Sequence, residues 1–253
     1  MTYKALFLDL DGTTVTVGNT TPSKRVIKAV LEADKLIHVC LATGRILSTA
    51  LPVIEKLNLS GLCVISNGIQ IYDPVKRKII EETPINQSLV PELYELLKQF
   101  QVEIRQFDGV IDVPYAGEAI TKSIHSLYLP DLTENKADQI IQALSHYKNL
   151  NLHKMITLAK GQIGIEICHV NASKLHGIHR VSQLLSVEPH EIIGVGDGYN
   201  DFPLLMACGL KIAMGNAVPD LKAIADFVAP GVEEDGVVTV IEKFILENDS
   251  SHV

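Results

Sequence analysis

A short apolar stretch near the beginning of the sequence, Ala5–Leu8, runs directly into Asp-Leu-Asp-Gly-Thr at positions 9–13. Short, wholly apolar runs are typical of strands buried on both faces, which occur mainly in parallel sheets covered by helices. If residues 6–10 form such a strand, Asp9 and Asp11 point the same way at its carboxyl end. Open α/β sheets bind ligands at that end, so the segment predicts an α/β protein with a two-carboxylate site.

The chemistry of this segment indicates a cation and an oxyanion. Two crowded carboxylates repel each other unless a cation or a shared proton lies between them. Gly12 lets the chain turn without hindrance from a Cβ atom, and Thr13 and Thr14 offer hydroxyl and backbone donors to an oxyanion. The segment therefore predicts a site for Mg²⁺ and phosphate, although Asp-x-Asp-Gly also occurs as an ordinary turn.

Three further apolar runs end in polar residues in the same way. They are residues 39–45, which end in Thr43, Gly44 and Arg45; residues 62–68, which end in Ser66, Asn67 and Gly68; and residues 191–201, which end in Asp197, Asn200 and Asp201. Lys174, at the start of a helical segment, adds a compact cation that can neutralise phosphate charge. Because Mg²⁺ takes oxygen ligands and keeps several waters, one or two carboxylates per strand end are sufficient.

In chain order, the motifs Asp-x-Asp-Gly-Thr, Thr-Gly-Arg, Lys and Gly-Asp-Gly-x-Asn-Asp resemble those of the haloacid dehalogenase superfamily of phosphotransferases. The matching motifs extend over nearly the whole chain. The resemblance implies an α/β fold with a Rossmann-like parallel-sheet core and an inserted α+β cap domain. In size and position, the segment before Lys174 resembles the type IIB cap of Cof-like sugar phosphatases.

The resemblance implies a role for each candidate residue. Asp9 is the nucleophile, and Asp11 is the general acid and base, with a pKa that we expect to be raised by the adjacent carboxylate and partial burial. The Mg²⁺ ligands that the resemblance implies are the Asp9 side chain, the Asp11 backbone carbonyl and Asp197, supported by Asn200 and Asp201. The phosphate-binding residues that it implies are Thr43, Gly44, Lys174 and Asn200. Arg45 and Asn67 are candidates for contacts with the substrate.

Four of these residues also have simpler interpretations. Thr43 is of a type common at helix N-caps. Asp201 is of a type that favours the first turn of a helix through the dipole. Lys174 could be a solvated helix residue, and Arg45 could pair with a surface carboxylate instead of touching substrate.

The pattern of strands and helices changes near residue 83 and predicts two domains, a core of residues 1–82 and 171–253 and an α+β cap of residues 83–170. In the core we predict helices over 22–34, 46–57, 203–207, 219–225 and 236–246, and strands over 192–195 and 210–214. In the cap we predict helices over 87–100 and 134–147, and strands over 102–107, 110–113, 126–129, 155–158 and 163–167. A hairpin turn is expected at Asp108-Gly109, and a frayed end over 248–253.

Composition narrows the classes of partner. The net charge of −8 argues against nucleic acid or an anionic membrane as the main partner. The sequence contains no long apolar run and does not begin like a signal peptide, so we expect a cytoplasmic protein. Its four cysteines form no Cys-x-x-Cys pair and are predicted to be buried free thiols.

The motifs and the resemblance together predict a Mg²⁺-dependent phosphatase that hydrolyses small phosphomonoesters through an aspartyl-phosphate. The resemblance to Cof-like phosphatases implies a preference for sugar phosphates. Two alternatives stay open: a phosphomutase of the same superfamily, and a non-catalytic module that binds sugar phosphates. Cap residues such as Arg105, Asp112 and Tyr115 are candidates for contacts with the leaving group.

Overall fold

The computed structural model describes residues 3–156 and 161–247. The chain forms two compact units, one made of Met1–Glu81 with Lys174–Val253 and the other of Glu82–Ser173. The second unit is therefore an insertion in the sequence of the first.

Helices and strands mostly alternate in the first unit, apart from three consecutive strands within residues 63–82, and the second unit contains two antiparallel pairs of consecutive strands. In chain order the helices and strands are β1 (Ala5–Leu8), α1 (Lys24–Ala33), β2 (His38–Leu41), α2 (Leu47–Leu57), β3 (Cys63–Ile65), β4 (Gln70–Asp73), β5 (Lys78–Glu82), α3 (Val90–Leu97), β6 (Arg105–Phe107), β7 (Asp112–Pro114), β8 (Ser126–Leu132), α4 (Glu134–Leu144), β9 (Leu150–Ile156), β10 (Ile163–His169), α5 (Lys174–Leu185), β11 (Ile192–Gly196), α6 (Phe202–Met206), β12 (Leu210–Ala213), α7 (Pro219–Ile224), β13 (Phe227–Val228) and α8 (Gly236–Ile241).

The first unit is built on a parallel sheet with strand order β13-β12-β11-β1-β2. All four residues of β1 are fully buried, as the apolar run predicted. Its residue Leu8 lies opposite Val195 of β11 and Leu41 of β2, so these three strands reach the same edge together. The predicted α/β core with a parallel sheet is confirmed.

The second unit is an antiparallel sheet with strand order β7-β6-β8-β10-β9, packed against α3 and α4. Its core contains Leu93 of α3, Ile140 of α4 and the inward-facing Leu127 and Ile165 of the sheet. The expected hairpin turn is present, because the Asp108 carboxylate accepts hydrogen bonds from the N–H groups of residues 110 and 111. This is the α+β organisation predicted for the insertion.

Local differences from the predicted elements have physical causes. The edge strand β13 was missed because two residues are too short to show a periodic pattern. The last predicted helix, 236–246, is α-helical only as far as Ile241, and the chain is π-helical over Glu242–Leu246. The strand predicted at 155–158 is the end of a longer strand, β9, which begins at Leu150; its last two predicted residues and the segment 248–253 lie outside the described residues.

All four cysteines are buried free thiols, as predicted. Within the two described ranges, no helix combines the length and the apolar character needed to cross a membrane.

Candidate active site

Polar residues follow four neighbouring strands at one edge of the parallel sheet. Asp9 follows β1, Thr43 lies two residues beyond β2, Asp197 follows β11, and Asn216 lies beyond β12. The pairing continues past the strand ends, since the Asp9 N–H donates to the Val195 carbonyl at 2.9 Å. The fold thus gathers side chains from distant parts of the sequence at the edge where α/β sheets bind ligands.

Lys174 joins two of the acidic residues. It is the first residue of α5 and is only 1% exposed. Its Nζ lies 2.5 Å from Asp9 Oδ1 and 2.6 Å from Asp201 Oδ1. The alternative of a solvated helix lysine is therefore wrong. Although burial alone lowers the pKa of Lys174, the two carboxylates raise it above its ordinary value, so the ammonium stays charged.

Asp9, Asp197 and Asp201 form a cluster in which one oxygen of each lies within 4.8 Å of the others. In the part of the chain that the structure describes, one ammonium, that of Lys174, pairs with this cluster of three carboxylates, so the cluster has two negative charges in excess when fully ionised. This excess is visible in the pKa of Asp9, which burial and the Asp201 charge raise to about 8 against the opposing effect of Lys174. An all-oxygen donor set with this charge fits a divalent cation such as Mg²⁺.

The backbone at position 12 and its contact with Asp197 both require a glycine. Its φ is +80°, and a Cβ atom added there would lie 2.2 Å from Asp197 Oδ2. The next residue, Thr13, donates its hydroxyl to Asp197 Oδ1 at 3.0 Å. Only glycine meets both requirements, the left-handed backbone and the close approach of the carboxylate.

The surroundings of Asp11 differ from those that the sequence predicts. Asp11 lies outside the three-carboxylate cluster of the described residues, and its carboxylate is paired with Arg45 through Nε–Oδ2 at 2.7 Å and Nη2–Oδ1 at 2.6 Å. Gly18 N–H donates to the same carboxylate at 2.9 Å. Burial alone would raise the pKa of Asp11, but the hydrogen bonds from Arg45 and Gly18 lower it below its ordinary value. The predicted rise in pKa is therefore wrong for this conformation.

The phosphate-loop candidates lie in a tight turn after β2. Thr43 is buried, its N–H donates to the Val64 carbonyl at 2.9 Å, and its Oγ1 accepts from Arg45 N–H at 3.1 Å. Helix α2 begins four residues later with Ile46 as its N-cap, so the alternative of Thr43 as an N-cap is wrong. Gly44 is exposed at the tip of this turn.

The other candidate polar residues differ in their surroundings. Asp201 is fully buried, and its Oδ2 accepts from the N–H groups of Asp197 and Gly198, each at 2.9 Å. It therefore serves the turn before α6, as the helix-start interpretation suggested, as well as pairing with Lys174. Asn200 is half-buried beside Gly198 in the same turn. Asn67 is only 3% exposed and packs behind Gly44.

Asn216 is a site residue that the sequence analysis missed. Its Nδ2 donates to the Gly12 carbonyl at 2.8 Å and lies 3.3 Å from Asp197 Oδ2. Its Oδ1 accepts from Val232 N–H at 2.8 Å, which fixes the orientation of the amide. The signal was available, because Asn216 follows an apolar run, 210–214, just as the other site residues do.

The three candidate contacts in the second unit have partners of their own. Arg105 pairs with Asp112 at 2.8 Å and with Glu103 at 2.9 Å. Tyr115 is 5% exposed and packs edge-to-face on Tyr94 in the core of that unit, so the suggestion of a ligand contact for Tyr115 is not supported.

The acidic cluster predicts a pH dependence of metal binding. Without metal, burial and the Asp201 charge raise the pKa of Asp197 to about 6, and that of Asp9 lies at about 8. Since a cation needs both carboxylates ionised, protons compete with it below these values. We expect the affinity for Mg²⁺ to fall between pH 8 and pH 6 by about tenfold per unit per displaced proton. Calorimetric titration with Mg²⁺ between pH 8 and pH 6 measures this fall in affinity. An affinity for Mg²⁺ that does not change with pH would contradict the prediction.

Comparison with known proteins agrees with this architecture. A family model described as haloacid dehalogenase-like hydrolase matches residues 6–111 and 112–241. The putative phosphatase YkrA of Bacillus subtilis (strain 168) is 25% identical over 266 residues, covering 96% of this chain and 98% of that protein. The 5-amino-6-(5-phospho-D-ribitylamino)uracil phosphatase YcsE of the same organism is 24% identical over 248 residues, covering 96% of each.

Among solved structures, the HAD subclass IIB sugar phosphatase BT4131 superposes with a TM-score of 0.79 at 21% identity, covering 95% of this chain and 98% of that one. The family model and the relatives named as phosphatases agree with the parallel α/β sheet, its inserted α+β unit and its lysine-bridged acidic edge, and they identify an enzyme of the phosphatase type. The chain belongs to the haloacid dehalogenase-like hydrolases, and the resemblance seen in the sequence motifs is confirmed.

Proposed function

We propose that this enzyme hydrolyses small phosphomonoesters, preferably sugar phosphates, with Mg²⁺ and through an aspartyl-phosphate on Asp9. The observation that carries the proposal is the buried cluster in which Lys174 bridges Asp9 and Asp201 beside Asp197. Phosphoryl transfer needs alignment and neutralisation of charge on the equatorial oxygens, and this cluster offers a carboxylate, a fixed cation and a set of metal ligands in one place.

In the first step, the Asp9 carboxylate attacks phosphorus and the bond to the leaving oxygen breaks, which leaves the phosphoryl group on Asp9. Lys174 and Thr43 hold the oxygens of the transferring group. A Mg²⁺ ion held by Asp9, Asp197 and the Asp11 carbonyl, with Asp201 and Asn200 in support, would supply further neutralisation of the phosphoryl charge. In the second step, water attacks the phosphorus of the aspartyl-phosphate, the bond to the Asp9 oxygen breaks, and inorganic phosphate leaves, which regenerates the Asp9 carboxylate.

Asp11 is the proposed proton carrier. It donates a proton to the leaving oxygen and later accepts one from the attacking water. Because Arg45 stabilises the ionised form of Asp11 here, the donating step requires that this guanidinium leave the carboxylate. The ionised form that these hydrogen bonds favour is the one that the second, base-catalysed step needs.

Replacing Asp11 by asparagine should separate the two steps. Asparagine cannot carry the proton, so we expect about a hundredfold to ten-thousandfold slower turnover, the usual contribution of a general acid or base. With a good leaving group such as an aryl alcohol, some aspartyl-phosphate should form and persist. Acid quenching followed by intact-mass analysis would detect it, and rapid full turnover by the variant would contradict the role.

The proposed substrate class rests on the substrates for which two similar proteins are named. One relative is named for a phosphorylated ribitylaminouracil and one structural neighbour for sugar phosphates. Both names describe small, hydroxyl-rich phosphomonoesters, so the same class is proposed for this chain. A cytoplasmic location stays a prediction from the sequence.

The test is release of inorganic phosphate from an aryl phosphate and from a panel of sugar phosphates that includes 5-amino-6-(5-phospho-D-ribitylamino)uracil. Each reaction is run with Mg²⁺ and with a chelator. Mg²⁺-dependent release supports the proposal and ranks the substrates. An isomeric sugar phosphate in place of free phosphate would indicate a phosphomutase, and ligand binding without turnover would indicate a binding module.

A further inference from the structure

The turn Ser66–Gly68 has an unusual backbone for a buried segment. Its three residues have φ values of +50°, +52° and +92°. Ser66 and Asn67 are only 1% and 3% exposed. Left-handed backbone is disfavoured for residues that carry a Cβ atom, and two such residues in succession persist only where the surrounding structure holds them. The contacts on each side of the turn show what it is held against.

One side of the turn holds the phosphate loop, Thr43–Arg45. Ser66 N–H donates to the Arg45 carbonyl at 2.9 Å, and Asn67 N–H donates to the Thr43 carbonyl at 3.0 Å. A Cβ atom added to Gly44 would lie 3.0 Å from Asn67 Oδ1, closer than an ordinary van der Waals contact. The phosphate loop is thus hydrogen-bonded to the turn and packed against it.

The other side of the turn meets helix α5, which begins with Lys174. Gly177, one turn further along this helix, faces β3 and the turn: its added Cβ atom would lie 2.4 Å from Val64 Cγ1 and 3.4 Å from the Cα atom of Gly68. Val64 is a stiff, β-branched side chain in a buried strand, so it has little freedom to move aside. The start of α5 therefore packs against β3 as closely as a helix without a side chain at position 177 allows, and it also meets the turn at van der Waals distance.

We propose that Ser66–Gly68 is a spacer that sets the position of Thr43 relative to Lys174, so that both can hold one phosphoryl group. This role deepens the proposed function and rests on it. Thr43 and Lys174 lie on separate elements, and the turn is in contact with both. Phosphoryl transfer tolerates misplacement poorly, since an error of about 1 Å costs on the order of a hundredfold in rate. Asn67, Gly44 and Gly177 are then positioning residues.

The first test changes the spacing on the α5 side. In a helix, alanine is intrinsically favoured over glycine, so the propensity of the helix does not explain a loss in Gly177→Ala, and we attribute it to the new Cβ contacts, above all the collision with Val64. We expect kcat to fall by about tenfold to a hundredfold and the Kd for inorganic phosphate to rise in parallel. Val64→Ala removes the colliding atoms, so Gly177→Ala combined with Val64→Ala should recover most of both losses. Val64→Ala alone, and His179→Ala on the exposed face of the same helix, are the controls.

The readouts separate positioning from stability. A structural role alone would lower the melting temperature while kcat and phosphate affinity of the folded protein stayed at the wild-type values, and that result would overturn the proposal.

If Gly177→Ala fails to fold, Gly44 and Asn67 on the other side of the turn give the same test. Gly44→Ala should weaken phosphate binding. Adding Asn67→Gly, which keeps the left-handed backbone but removes the carboxamide, should restore the binding. Unchanged phosphate binding in Gly44→Ala would overturn the proposal.

Calorimetry with inorganic phosphate also distinguishes a failure of the spacer role from a failure of the phosphatase activity. A wild-type protein that binds phosphate but releases none from any ester would refute the phosphatase, and the variants would still report on the spacer through their Kd values. A wild-type protein that neither hydrolyses esters nor binds phosphate would overturn both.

Discussion

Asp9→Asn should abolish phosphate release, with a loss of at least about a thousandfold in kcat, because an amide cannot form the aspartyl-phosphate. The substitution is nearly isosteric and, when the cluster is fully ionised, removes one of its two excess negative charges. It should therefore leave the fold intact. Asn at this position still accepts a hydrogen bond from Lys174, so the neighbouring pair with Asp201 is retained.

Steady-state phosphate release by wild type and Asp9→Asn, with thermal unfolding of both, is the measurement. Asp220→Asn is a matched control, since Asp220 is an exposed carboxylate in helix α7 of the same unit. The control should keep wild-type activity. More than a trace of activity in clean, folded Asp9→Asn protein would exclude Asp9 as the nucleophile.

The strand ends could be predicted from the sequence because their pattern is local. A short apolar run followed by polar residues identifies a buried parallel strand and the edge at which it ends. Asp9, Asp197 and Thr43 lie where this rule places them, and Asn216 obeys the same rule, although it was not among the predicted site residues. Glycine preferences add a second local signal, as at Gly12.

The partners of Asp11 and Lys174 could not be predicted in the same way. The prediction extended the first strand to Leu10, so Asp9 and Asp11 were expected to point the same way. The strand ends at Leu8, and the left-handed Gly12 follows in a turn closed by its N–H and the Val15 carbonyl. Asp11 therefore reaches Arg45 instead, which reverses the direction of its pKa shift.

The burial of Lys174 and the role of Ser66–Gly68 depend on tertiary packing. Helical periodicity does not show that the first residue of α5 lies among carboxylates from two other elements. Likewise, the polar sequence Ser-Asn-Gly indicates only a turn, and its contacts with the phosphate loop and with α5 appear once β2, β3 and α5 are packed together. Side chains that act between elements are therefore harder to predict than those that end an element.

The largest effect on stability is expected from Lys174→Met. Among the described residues, Lys174 is the cation that pairs with Asp9 and Asp201 of the cluster, and its removal leaves buried negative charge without compensation. Breaking a buried ion pair from one side typically costs about 3–5 kcal/mol of unfolding free energy. We expect a loss of this size in metal-free protein at pH 7.5, together with loss of phosphate release. At lower pH the carboxylates take up protons more readily, so the loss should shrink.

Urea unfolding of wild type and Lys174→Met, at pH 7.5 and pH 5.5 and with and without Mg²⁺, measures these effects. Lys28→Met is the control, because Lys28 is 79% exposed and its pair with Glu32 at 3.9 Å should contribute less than about 1 kcal/mol. If a divalent cation binds the cluster, Mg²⁺ should restore part of the stability of Lys174→Met, since it supplies the missing positive charge. A loss no greater than that of Lys28→Met would show that Lys174 does not balance the charge of the cluster.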